Sequence, residues 1–123
     1  MKILTLYRCL SDETRLRLLH LLGLGPLCVC HFQEILKLPQ TAISKHLAYL
    51  RIRGVVRVRR QGQWRIYHLP EPLPEELGLQ LQALQECVKK HPVFRTDLKR
   101  LKETEAGCDW AVPVVTKAKR KKA

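Results

Sequence analysis

The chain has 123 residues, is 46% hydrophobic, and carries 23 Lys+Arg against 11 Asp+Glu, a formal net charge of +12. That hydrophobic share supports one domain with a real core and excludes wholesale disorder, while the charge favours a polyanionic partner, nucleic acid before an anionic membrane surface. No segment approaches the roughly 20 apolar residues of a membrane span. The opening MKILTLYRCLSDETR meets charge too early for a secretory signal, so the expected location is the cytoplasm, where five cysteines point to metal or redox chemistry before disulfides.

Ile3, Leu6, Tyr7 and Leu10 recur at helical spacing and predict a first helix over 3–10. Ser11 is placed to cap a second helix over 12–22, with Asp12 and Glu13 in its first turn. Leu16, Leu19 and Leu22, widened by Leu18 and Leu21, form its stripe, and Gly23, Gly25 and Pro26 end it. A short helix fits 31–37, with Phe32, Ile35 and Leu36 inward and Pro39 as its breaker. The next, over 40–53, has Ile43, Leu47 and Leu50 on one face, Thr41, Lys45 and Ala48 opposite, and Ser44 and Tyr49 at the flanks; Gly54 stops it. VVRVRR and QWRIYHL alternate and read as a hairpin joined around Gln61-Gly62. Gln-Gly is a weak two-residue turn, so a longer loop with Gly62 left-handed is expected. Pro70, Pro72 and Pro74 form a stiff linker to a helix over 75–90 striped by Leu77, Leu81, Leu84 and Val88. A polar helix over 93–105 and the basic, mobile tail TKAKRKKA complete the chain.

A helix, a tight break, a helix with a polar outer face and a basic hairpin make the pattern of a winged helix-turn-helix: a mainly α fold with a small β-hairpin. A helix held by its apolar side leaves its other side free for the major groove of double-stranded DNA. Thr41, Ser44 and Lys45 suit base edges and phosphates there. Arg57, Arg59, Arg60 and Arg65 place four guanidiniums on one hairpin, where they can flank a duplex backbone or enter a minor groove. His46, at the edge of the apolar face, reads better as a packed or capping residue than as a base reader. No cluster of aromatics offers a stacking platform for RNA, and no grouping of acid, base and nucleophile points to an enzyme.

The pieces CLSDETRLRLL, LCVCHF, LPQTAISKHLAYLRIRGVV and RRQGQWRIYHL, in that order, resemble the ArsR/SmtB family of metal-responsive repressors, and within it the arsenic repressors. The resemblance implies a homodimer bound to operator DNA and released by an inducer. It implies DNA contacts from Gln40, Thr41, Ser44, Lys45 and His46 and from the wing stretch 59–65, Gln61 and Gln63 included. It implies dimerisation through the helix over 75–90, with Leu77, Leu81, Leu84 and Val88, beside Ile3 and Leu6 of the first helix. The corresponding division is a DNA-binding and dimerisation domain over 1–91 and a C-terminal helix with a basic tail over 92–123.

Cys28 and Cys30 stand two residues apart in GPLCVCHFQE. Residues i and i+2 point apart on a helix and together on extended chain, so these thiols share an ion only if the backbone there is extended or the first helical turn is open. A helix start also favours the thiolate, and thiolates select soft ions. The resemblance implies no constitutive cofactor but an inducer, trivalent arsenic (arsenite) or antimony (antimonite), held by three sulfurs. Many arsenic repressors place the third cysteine three residues after the second, where this chain has Gln33; Cys9, Cys87 and Cys108 are the remaining candidates. Two rivals use the same scaffold: a sensor of cadmium, lead or zinc, with His31 or His91 contributing, and a thiol redox regulator, for which a C-x-C ring is an awkward disulfide. A thiol oxidoreductase would show C-x-x-C in a βαβ setting, which is missing.

Overall fold

A computed structural model of the chain describes residues 1–105. In order they form α1 (Ile3–Leu10), α2 (Glu13–Leu24), β1 (Leu27–Cys28), α3 (Val29–Leu36), α4 (Gln40–Ile52), β2 (Arg57–Gln61), β3 (Trp64–His68), α5 (Glu75–Cys87), a 3₁₀ turn (Val88–Lys90) and α6 (Pro92–Glu105). Cys108 and the TKAKRKKA tail lie outside the described residues.

Local chemistry sets the helix ends, in places differently from the sequence reading. Asp12, rather than Ser11, caps α2: its carboxylate accepts the Arg15 amide at 3.0 Å. The Ser11 hydroxyl instead donates to the Arg8 carbonyl at 2.8 Å and closes α1. α3 starts two residues earlier than expected, because Cys28 is its extended N-cap. It ends at Lys37, whose φ of 58° takes the left-handed conformation usually left to glycine. Pro39, expected to break α3, is the N-cap of α4, with φ −62°. Pro92 opens α6 at the position where a missing N–H costs nothing.

The three strands form one antiparallel sheet in the order β1-β3-β2. β1, too short to show a periodicity, pairs Leu27 with Tyr67 and Cys28 with Ile66. In the hairpin Gln61 faces Trp64, which leaves a two-residue turn at Gly62-Gln63 in place of the longer loop. Gly62 does carry a positive φ, 63°, the glycine-first pattern of a tight hairpin turn. The expected alternation fails on both strands. β2 is an edge strand exposed along all five residues, and central β3 buries the adjacent Ile66 and Tyr67.

The core gathers Leu18, Leu19, Leu21 and Leu22 of α2, Phe32 and Ile35 of α3, and Ile43, Leu47 and Leu50 of α4, all fully buried. α1 and α5 both pack on α2. The stripe expected to face a second subunit is therefore largely consumed inside the chain: Leu6, Leu77 and Leu81 belong to the core, Val88 is buried and Leu84 packs against the core. Left outside on these two helices are Ile3, Leu4, Tyr7 and Leu79, at 51, 59, 49 and 56% exposure. α6 packs on α2 and α3. Its fully buried Asp97 accepts from Arg17 of α2 through both carboxylate oxygens, each at 2.8 Å.

Candidate functional site

Two groups of side chains meet on one side of the molecule. The first belongs to α4. With Ile43, Leu47 and Leu50 fully buried beneath it, Gln40, Thr41 and Lys45 are exposed and Ser44 is half-buried on the outer side. Arg59, Arg60, Gln61, Gln63 and Arg65 are exposed on the wing, as is Arg57, which donates to the Glu71 carbonyl at 3.1 Å. His46 is half-buried, its Nδ1 3.9 Å from the Asp12 carboxylate that caps α2, as suits a residue that helps join two helices. Arg15 and Arg53 cover the Tyr49 ring, their guanidinium carbons 4.1 and 3.5 Å from its centre. Arg15 also donates to the Cys9 and Arg8 carbonyls at 3.0 and 2.9 Å, closing α1. These two cations are tied into the fold.

The second group is at the β1–α3 junction. Cys28, extended and paired in the sheet, is followed by the first helical turn bearing Cys30, and the two sulfurs meet as a disulfide pair with Cα atoms 5.5 Å apart. An extended residue next to an opening helical turn is one of the two geometries that let an i, i+2 pair converge. His31 Nδ1 lies 3.2 Å from the Cys28 sulfur. Cys28, Cys30 and His31 form the one such group among the described residues, with ligand atoms all within 4.8 Å of one another. Burial pushes the His31 imidazole below its ordinary pKa, against the opposing pull of Glu34. A neutral ring beside two sulfurs is a donor set that fits a thiophilic ion.

The other thiols are not brought here. Cys9 is wholly buried, and burial pushes its pKa up despite Arg15 and Arg53. Cys87 is exposed at the end of α5. Neither joins the Cys28 group among the described residues, and exposed His91 does not either.

The two groups share a groove of about 550 Å³ between α4 and the wing, lined by Cys28, Cys30, Gln40, Ser44, Gln63 and Arg65. Val58, Trp64 and Arg51 also line it. Periodicity does not single out Val58 and Trp64 as groove residues, because the wing's place against α4 is set by the tertiary packing of the sheet and not by the strands' own alternation.

Residues 12–58 match the family described as bacterial regulatory protein, arsR family. Over 82 residues the chain is 48% identical to the arsenic resistance transcriptional regulator ArsR2 of Pseudomonas putida, a match covering 63% of this chain and 71% of that relative. The chain belongs to the ArsR family. It is 40% identical over 79 residues to ArsR1 of the same organism, covering 63% of this chain and 62% of that relative. Among solved structures, HlyU from Vibrio cholerae superposes with a TM-score of 0.64 at 30% identity, covering 71% of this chain and 91% of that one. An ArsR-family chain is a winged-helix transcriptional regulator rather than an enzyme. The family match runs from the α2 cap into β2 and so includes Cys28, Cys30 and α4. Arg59 to Arg65 of the wing, α5 and α6 lie beyond it.

Proposed function

We propose that this ArsR-family protein is a repressor that binds operator DNA as a homodimer and is released when Cys28 and Cys30 capture trivalent arsenic or antimony. The observation that carries the reading is the shared groove: the two cysteines line the same cleft as Gln40, Ser44, Gln63 and Arg65. A repressor needs an inducer that distinguishes two states of the DNA-reading surface. Cys28 and Cys30 are at the start of α3, and α3 packs directly on α4. Holding one ion between the two reduced thiolates fixes the strand-to-helix junction, and that constraint acts on α4 through their packing. Capture needs the thiols reduced, as they are held in the cytoplasm, where the reading places the protein. The exposed residues of α4 and the wing supply the DNA contacts. Ile3, Leu4, Tyr7 and Leu79 supply the apolar surface for the second subunit.

The test is operator affinity with and without arsenite for the native chain, Cys28→Ser and Cys30→Ser. Arsenite is expected to weaken DNA binding by the native protein and to leave both variants bound. Normal induction of both variants would overturn the reading. Release by peroxide without release by arsenite would replace it with the redox alternative.

A further inference from the structure

Beside the C-terminal end of α2 lies a cavity of about 400 Å³, walled by Leu24 of α2, Val88 of the 3₁₀ turn, and Phe94 and Leu98 of α6. It shares no residue with the groove at Cys28. His20 belongs to the same wall. It is buried, its Nδ1 has no hydrogen-bond partner, and its ring meets Phe94 edge-on. A buried polar nitrogen without a partner costs free energy, which a molecule bonded to the imidazole recovers in part. Burial holds the His20 pKa below its ordinary value, so near neutral pH the ring is uncharged, with one nitrogen to donate and one to accept.

Lys89 and Arg95 also line the cavity and are exposed, which places two cations where it meets solvent. Lys89 makes a surface pair with Glu86 at 3.2 Å, a contact that water screens. Arg95 has no acidic partner within ion-pair distance among the described residues. Asp97, whose charge reaches His20, has both carboxylate oxygens taken by Arg17. An apolar chamber with a hydrogen-bonding group in its wall and cations at its mouth calls for a molecule with the same order of parts. We infer that this cavity binds a small aromatic carboxylate bearing a ring hydroxyl, with the carboxylate toward Arg95 and Lys89, the ring against Phe94 and Leu98, and the hydroxyl on the His20 imidazole. A dry protein cavity of about 150 Å³ takes a benzene ring, so the larger chamber has room for one ring and its substituents. A rigid ring gives up less freedom on binding than an alkyl chain, and Phe94 offers it an aromatic contact. The inference does not rest on Cys28 and Cys30 as inducer ligands.

The experiment titrates para-hydroxybenzoate into the full-length chain by calorimetry and locates it by amide NMR shifts. Benzoate lacks the hydroxyl, para-hydroxybenzamide the charge, and acetate the ring. Saturable binding is expected, with shifts gathered at Leu24, Phe94 and Leu98. Benzoate should bind about threefold to tenfold more weakly, and that ratio should vanish in His20→Leu. Arg95→Gln with Lys89→Gln should weaken para-hydroxybenzoate by about fivefold and leave para-hydroxybenzamide unchanged. Leu98→Trp and Leu24→Trp, which fill the chamber, should abolish binding while circular dichroism stays native-like; the probe series itself needs no substitution. No saturation at millimolar para-hydroxybenzoate would overturn the site. Acetate binding equally well would reduce it to general attraction by a basic chain. A hydroxyl preference that persists in His20→Leu would overturn the role of His20. Dissociation of a dimer by Leu98→Trp, read by sedimentation, would assign the cavity to a second copy of the chain and overturn the ligand.

Discussion

Lys45 is an exposed cation on the outer side of α4, beside Thr41 and Gln40 and opposite the buried Ile43–Leu47–Leu50 face. A lysine in that position contributes chiefly by displacing a counterion from a phosphate, which is indifferent to base sequence. Lys45→Ala should therefore weaken operator and random DNA by similar factors and lower the slope of log affinity against log salt by about one, as fluorescence anisotropy across a salt series would show. Gln40→Ala should instead act mainly on the operator. His20 poses a different question at this scale. It is 4% exposed, its Nδ1 has no hydrogen-bond partner, and its ring meets Phe94 edge-on at 5.7 Å. Burial pushes its pKa below the ordinary histidine value, against the pull of Asp97. The sign follows from linkage. The unfolded chain takes up a proton near about pH 6.5 and the folded chain resists it, so stability holds above that pH and falls as pH drops below it. His20→Leu should flatten the acid limb of a stability–pH curve between about pH 6.5 and 5. Some slope should remain, because the His31 pKa is shifted in the same direction.

At the scale of elements, α6 is the instructive case. Its sequence reads as polar, yet Phe94, Asp97 and Leu101 are buried. Asp97 reaches Arg17 of α2, Arg17 also donates to the Leu36 carbonyl at 3.2 Å, and Arg100 donates to the Ile35 carbonyl at 2.9 Å. α6 thus satisfies the Ile35 carbonyl directly and, through Asp97, holds the α2 guanidinium that satisfies Leu36, both at the C-terminal end of α3, the helix whose other end carries Cys30 and His31. Asp97→Ala strands a buried guanidinium and should cost about 3–5 kcal/mol, read as a fall in the urea midpoint; restoring an apolar pair with Arg17→Met in the same chain should recover much of it. The sequence could not show this pairing, since Arg17 and Asp97 are 80 residues apart and each alone resembles a solvated charge. What was legible follows from local rules. The apolar face of α4 was read from Ile43, Leu47 and Leu50, the end of α2 from its glycines, and the hairpin from two β-rich runs about Gly62. The convergence of Cys28 and Cys30 was legible only as a condition on the backbone. Meeting it takes β1, whose Cys28–Ile66 pairing depends on a strand nearly forty residues away. His31 was legible as a neighbour in sequence, but its approach to the Cys28 sulfur depends on where α3 begins, two residues earlier than the apolar spacing implied.

For the whole molecule, the decisive quantity under the proposed function is how the two α4 helices of a dimer are held relative to one another. One α4 covers one half-site, and a dimer gains affinity only if its two copies stand about one DNA turn apart. The inner stripes of α1 and α5 are spent on α2, so the second subunit of the proposed dimer has to be gripped by what remains outside. Ile3, Leu4 and Tyr7 on α1 and Leu79 on α5 are each about half exposed, and the Gln80 amide donates to the Tyr7 hydroxyl at 3.0 Å, tying the two helices side by side. Burying large apolar side chains is worth about 1.5–3 kcal/mol each when complete, and four per subunit, doubled by two-fold symmetry, form a substantial driving force. Placing a charge in that surface removes part of the gain and adds the cost of burying an unpaired ion. Because Leu4 and Leu79 are exposed in the single chain, Leu4→Glu with Leu79→Glu should leave its folding nearly intact. The double variant should sediment as a monomer at concentrations where the native protein is a dimer. Its affinity for a full operator should fall toward that for an isolated half-site, while its far-ultraviolet circular dichroism stays native-like. A double variant that remained dimeric would move the subunit contact to another face, and the α1–α5 surface would then need a different occupant.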